Sequence, residues 1–166
     1  KTMDKNQIHE EELVRYERID GVAVLTLNNP KKRNALSIDL LKSLQWYLTG
    51  IQEDPTVHVV IIRAVGTVFS AGHDLRELLN QEEKEHIYIF ALCTEIMQAI
   101  RLLRQPVIAE VDGLATAAGC QLVASCDLAI ASSDATFATP GVTIGLFCTT
   151  PGVALARSIS HKKAMD

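Results

Sequence analysis

Apolar and polar positions follow two different periods along this chain, and the changes between them outline its elements. Residues 14–19 (Val-Arg-Tyr-Glu-Arg-Ile) and 22–27 (Val-Ala-Val-Leu-Thr-Leu) read as strands around Asp20-Gly21. That pair tolerates the positive φ angles of a tight hairpin turn. Asn28-Asn29-Pro30 ends the second strand. Ser37 is placed to cap a helix whose apolar face is Leu41, Leu44, Leu48 and Ile51, at steps of three and four. Residues 57–64 are rich in β-branched side chains and predict a further strand. A polar break at 80–85 precedes a long helix striped by Ile89, Cys93, Ile96, Ile100 and Leu103, which Gln105-Pro106 should stop. Residues 107–111 predict another strand, and a helix beginning near Ala117 runs through 122–125. Residues 128–131 and Thr136-Phe137 read as short strands, and Pro151 should start a last helix. Short strands separated by helices predict an α/β crossover fold. Residues 1–12 are expected to be a polar, flexible lead-in and 13–166 one core domain. Residues 160–166 carry no helix-stop signal, as though the chain ends within an element.

Composition narrows the field. A chain of 166 residues that is 48% hydrophobic and 22% charged suits one globular domain. The longest apolar runs fall far short of the ~20 residues of a membrane span. A formal charge of −4 speaks against nucleic acid as partner. Cys93, Cys120, Cys126 and Cys148 lack metal-like spacing, so buried reduced thiols are expected and no metal site. The start, with Glu10, Glu11 and Glu12, has no hydrophobic signal region, which points away from secretion. The expected compartment is the cytoplasm for a bacterial chain, with the mitochondrial matrix as alternative.

The candidate chemistry lies in two turns. Val111-Asp-Gly-Leu-Ala-Thr-Ala-Ala-Gly-Cys-Gln-Leu-Val-Ala-Ser-Cys-Asp127 reads as a strand end, a turn of small residues and a helix start. N–H groups at a helix start lack intrahelical partners, and small side chains let a substrate come close to them. Phe69-Ser-Ala-Gly-His-Asp-Leu75 offers a second such turn. Two converging donors would stabilise a charged carbonyl oxygen; two ordinary tight turns would show the same residues.

These turns, with Asn28-Asn-Pro-Lys-Lys-Arg-Asn-Ala-Leu36, Phe137-Ala-Thr-Pro140 and Cys126-Asp127, resemble the enoyl-CoA hydratase/isomerase (crotonase) superfamily from about Tyr16 to Arg157. Within it, the 112–127 run and Gly145-Leu-Phe-Cys148 are most similar to the enoyl-CoA hydratase domain-containing protein 3 group. The resemblance implies a spiral of ββα units. It also implies that C-terminal helices, which build a trimer or dimer of trimers, are missing here. By the same resemblance the backbone N–H groups of His73 and Ala118 hold a thioester oxygen. The CoA portion passes Arg33, Ala35, Leu36, Ala71, Asp74 and Leu75, with Lys31 and Lys32 left open. Acyl-CoA or enoyl-CoA is then the ligand, and no separate cofactor is expected.

Hydratases of the superfamily use two glutamates, and those positions are Gln121 and Gly141 here. Gln121 can orient water but has no useful proton to trade, and Gly141 offers only backbone. Efficient hydration is therefore not expected, and isomerisation or decarboxylation is easier to accept. His73 could supply a proton-transfer group or be merely packed; Asp74 and Asp127 read as caps or braces. A catalytically inactive acyl-CoA-binding or scaffold protein is the second reading. A hydrolase using Ser70 or Cys148 is remote, since no G-x-S-x-G elbow is present.

Overall fold

The computed structural model describes residues 12–165, so the lead-in expected over 1–12 lies, but for Glu12, outside the described residues. Strands β1 (Val14–Ile19) and β2 (Val22–Leu27) form the hairpin, with Asp20 and Gly21 both at positive φ. Helix α1 (Ile38–Glu53) starts at Ser37, whose hydroxyl accepts from the Leu40 N–H at 3.3 Å. Its predicted apolar face is buried. Strands β3 (Val59–Ala64) and β4 (Val68–Ser70) follow, then helix α2 (Glu83–Leu102). Next come β5 (Val107–Val111), β6 (Leu114–Thr116) and α3 (Ala118–Ser125). After β7 (Leu128–Ala131) and β8 (Thr136–Ala138) the described chain ends in α4 (Thr149–Ser158) and α5 (His161–Met165).

The strands sort into two sheets. One is five-stranded in the order β1-β2-β3-β5-β7, parallel except for the β1–β2 hairpin; the other is three-stranded and parallel, β4-β6-β8. Each unit sends one strand to each sheet and returns by a helix: β3-β4-α2, then β5-β6-α3. This is the ββα spiral that the resemblance implied. The interior strand β2 is buried along nearly its whole length, as a strand covered on both faces must be. Edge strand β7 leaves Leu128 and Ile130 more than half exposed.

Several boundaries shift. Leu103 lies beyond α2, half-buried against the core, and α4 begins at Thr149 rather than Pro151. Strands β4 and β6 were not foreseen: three residues are too few to show a period, and of the three-residue strands only β8 was anticipated, from Thr136-Phe137. Cys93 and Cys120 are buried as expected, whereas Cys126 and Cys148 are only partly covered.

Candidate functional site

The second strand of each unit ends at the same place, and that is where the two small-residue turns meet. β4 pairs with β6 in parallel, with Ser70 opposite Ala115, so the two strands end within one residue of each other, at Ser70 and Thr116. Beyond them Gly72 lies against the start of α3. A Cβ built on Gly72 would stand 3.2 Å from the Ala118 nitrogen and 3.0 Å from the Ala117 Cβ. A Cβ on Gly119 would come within 2.7 Å of the Ser70 Cβ. Neither position accepts a larger residue without separating the turns.

The backbone at the second turn is held in an uncommon shape. Ala117 has φ 50° and ψ −121°, a conformation that L residues adopt at a cost of about 1–3 kcal/mol. Its N–H is anchored to the Ala138 carbonyl at 2.9 Å. The strain sits one residue before Ala118, where ψ of Ala117 sets the direction of the Ala118 N–H. Ala118 opens α3, so its N–H has no intrahelical partner. Among the described residues none accepts from the His73 or Ala118 N–H.

The 33–36 segment is stitched to the first turn. The Ala71 N–H donates to the Arg33 carbonyl at 3.0 Å, and the Leu36 N–H donates to the Gly72 carbonyl at 2.8 Å. Leu36 and His73 form a β-bridge. The residues expected along a CoA path are thus brought together, though differently disposed. Arg33 is exposed and Leu75 is 52% exposed, whereas Ala35 is buried and Leu36 belongs to the core. Asn34, which sequence reasoning passed over, fixes this loop. Its buried side chain accepts from the Asn29 N–H at 2.8 Å and donates to the carbonyls of Val65 (2.9 Å) and Val68 (2.7 Å). Ser70 Oγ donates to the Asn34 carbonyl at 2.9 Å. That buried contact leaves Ser70 structural rather than nucleophilic.

Asp74 is a cap and an ion-pair centre. Its carboxylate accepts from the Arg76 N–H at 3.1 Å and from the Arg76 guanidinium at 3.0 Å through both oxygens, with Lys32 Nζ at 3.9 Å. The Arg76 hydrogen bonds hold its carboxyl below the usual range, against the opposing effect of burial. Asp127 braces structure as expected, accepting from the Val107 N–H at 2.8 Å.

The His73 ring meets Phe90 of α2 edge-on, with centroids 5.2 Å apart. Burial drives its pKa down, opposed by the backbone of Leu36, and Nδ1 is buried with no partner. Burial is the larger of the two effects, so the fold disfavours the charged imidazole. Phe90 also lines an open groove along α2, with Ile87 and Ala91. His86, for which no partner was foreseen, has Nε2 2.9 Å from the Leu78 carbonyl.

On α3, Gln121 is 7% exposed and its Oε1 accepts from Thr150 Oγ1 of α4 at 3.0 Å. Gly141 is buried, and a Cβ there would stand 2.8 Å from both Cys148 Sγ and the Leu146 carbonyl oxygen. Among the described residues no His/Cys/Asp/Glu group could hold a metal ion, and no helix is long and apolar enough to cross a membrane.

Comparison with known proteins agrees with this fold. The enoyl-CoA hydratase/isomerase family model matches residues 17–166. The human mitochondrial enoyl-CoA hydratase domain-containing protein 3 is 53% identical over 150 residues, covering 90% of this chain and 50% of that protein. A short-chain-enoyl-CoA hydratase of Clostridium acetobutylicum is 37% identical over 150 residues, covering 90% and 56%. The crystal structure of the human domain-containing protein 3 superposes with a TM-score of 0.89 at 52% identity, over 93% of this chain and 61% of that one. An enoyl-CoA hydratase of Mycobacterium smegmatis gives 0.90 at 48%, over the same shares. The chain spans about half the length of the first of these relatives.

Proposed function

The chain belongs to the enoyl-CoA hydratase/isomerase family, and from that premise we propose that it binds acyl-CoA thioesters, the thioester oxygen resting between the His73 and Ala118 N–H groups. The approach of Gly72 to the Ala118 nitrogen carries this reading, since it joins the two donor turns at one spot. A thioester oxygen gains negative charge when C2 is deprotonated or C3 attacked. Preorganised donors stabilise that charge, each contributing about 10²–10³ in rate. Arg33, exposed beside the first turn, is suited to a CoA phosphate. Ala71 lies beside it, and Leu36 contributes through backbone. Asp74 acts by holding Arg76 and Lys32 near this path.

Proton transfer separates the possible reactions. Gln121 and Gly141 offer no acid or base, and such a group is worth about 10²–10⁴. Decarboxylation of a malonyl-type thioester needs chiefly the oxyanion donors, because losing CO₂ itself generates the enolate. Chemistry of that enolate type is the activity proposed, acting in lipid or fatty-acid metabolism with no cofactor beyond the CoA carried by the substrate. A non-catalytic acyl-CoA-binding or scaffold protein is the second reading. It is favoured by Cys148 and Leu146 crowding Gly141, which leaves no room there for a carboxylate side chain.

Calorimetric titration of the full-length protein with CoA and with short and medium acyl-CoAs tests binding; no affinity for any of them overturns the proposal. Malonyl-type and enoyl thioesters followed by product mass spectrometry then separate turnover from binding alone. Self-association as a trimer or dimer of trimers is proposed for the full-length protein, supported by the uncovered Leu128 and Ile130 of β7. The mitochondrial matrix is the proposed compartment, since the human relative is named mitochondrial; fractionation tests it.

A further inference from the structure

The outer face of α1 carries a cavity that the thioester reading does not use. Tyr16 of β1 stacks on Tyr47 of α1, with ring centroids 5.4 Å apart and planes 9° from parallel. Trp46 stands nearly perpendicular to Tyr47, at 4.8 Å and 76°, so the three rings make a corner rather than a flat patch. Trp46 is nonetheless 61% exposed, an uncommon position for the single tryptophan of the chain. The cavity beside these rings measures about 610 Å³ and is also lined by Gly50 and Glu53. Trp46, Gly50 and Glu53 follow one another at steps of four and three, which sets them on one face of α1.

Gly50 keeps this space open. It lies inside a helix, where glycine is disfavoured, yet a Cβ built on it meets no atom within 4 Å. Its absent side chain leaves a gap between Trp46 and Glu53. The charges around the gap are unequally engaged. Asp54, at its edge, is paired with Arg18 at 3.1 Å, and Lys42 Nζ sits over the Tyr88 ring, 5.9 Å from its centroid. Glu53 has no ion-pair partner among the described residues.

We propose that this cavity binds a small alkylammonium ion, its charge held between the Trp46 ring and the Glu53 carboxylate over Gly50. Indole is the side-chain ring that attracts a cation most strongly, and alkylated nitrogen is the cation that aromatic corners hold best. The volume is that of a small-molecule site rather than of a protein interface. Trp46 lies about 14 Å along the helix axis from Ser37, whose end of α1 adjoins the first small-residue turn. The site is therefore independent of the thioester reading.

Titration calorimetry of the full-length protein with choline, and with its uncharged isostere carrying carbon in place of nitrogen, tests this. Choline should bind with a Kd of about 1 mM or tighter, and at least about tenfold better than the isostere. Trp46→Ala should remove choline binding, and Glu53→Gln should weaken it about two- to fivefold. Gly50→Leu should block the cavity while the thermal midpoint holds or rises, since leucine favours a helix more than glycine does. Acyl-CoA affinity should stay unchanged in all three variants. Equal affinity for choline and the isostere overturns the proposal, as does choline binding that survives both Trp46→Ala and Gly50→Leu. No choline binding up to about 10 mM overturns it as well. A change of oligomeric state in Trp46→Ala, read by light scattering, overturns it in favour of contact with a second copy of the chain.

Discussion

Gly72 faces Ala118 across the junction of the two small-residue turns, and a Cβ on it would stand 3.2 Å from the Ala118 nitrogen. Its φ of +86° adds backbone strain for any L side chain. Gly72→Ala should cost about 1–3 kcal/mol of stability, read from denaturant unfolding. It should also weaken acyl-CoA binding at least tenfold while leaving the affinity for free CoA nearly unchanged. Equal losses for both ligands would place the damage outside the thioester position.

Asn34 should matter as much to stability as any apolar core residue, although it is polar. Asn34→Ala removes three hydrogen bonds and leaves the Val65 and Val68 carbonyls and the Asn29 N–H to find other partners. At about 1–3 kcal/mol for each buried group left unsatisfied, a loss of about 3 kcal/mol or more is expected in urea unfolding. Asn34 also sits at φ 48°, a region that asparagine tolerates better than most residues. Asn34→Asp should therefore keep the backbone shape and still lose the two donor bonds. A mild effect of Asn34→Ala would contradict the role assigned to this side chain.

His73 gives stability a dependence on pH. Burial lowers its folded pKa below the ordinary 6.5. The unfolded chain therefore takes up a proton first as pH falls, and the neutral imidazole's stabilising contribution is present above about 6.5 and is lost progressively below it. His73→Phe, which keeps the edge contact available to Phe90, removes this contribution. Urea midpoints measured from pH 7.5 to 5.5 should fall more steeply for the native protein than for the variant. Parallel curves would show that His73 is not held neutral by the fold.

The strand and helix pattern was legible wherever an element was long enough to repeat its period. The Leu41, Leu44, Leu48 and Ile51 stripe and the Asp20-Gly21 hairpin were both found in the structure. Strands β4 and β6 were missed, yet they deliver the two candidate donors to one place. Three-residue strands carry no periodicity, so the small residues of the two turns, and not the strands that lead into them, marked that junction. The importance of Asn34 and Ala117 was not legible either. Each acts through a partner distant in sequence or through a backbone angle, and neither leaves a local signature.

Gly141, where the proposed reading looks for an acid or base, is closed in by its neighbours as well as lacking a side chain. Gly141→Ala should destabilise by about 1–3 kcal/mol through overpacking against Cys148 and Leu146. Cys148→Gly should remove part of that cost, because the Sγ is one of the two crowding atoms. A double-mutant cycle in thermal or denaturant unfolding measures this coupling. Strict additivity would mean that the two residues do not compete for one space.

Isotope-edited infrared spectroscopy of a bound acyl-CoA labelled with ¹³C at the thioester carbonyl reads the proposed contact at its own atom. Two backbone donors aimed at the oxygen should lower the carbonyl stretching frequency relative to free thioester, and Gly72→Ala should reverse most of that shift. A bound thioester whose carbonyl band matches the free ligand in both proteins would show that residues 73 and 118 do not hold its oxygen.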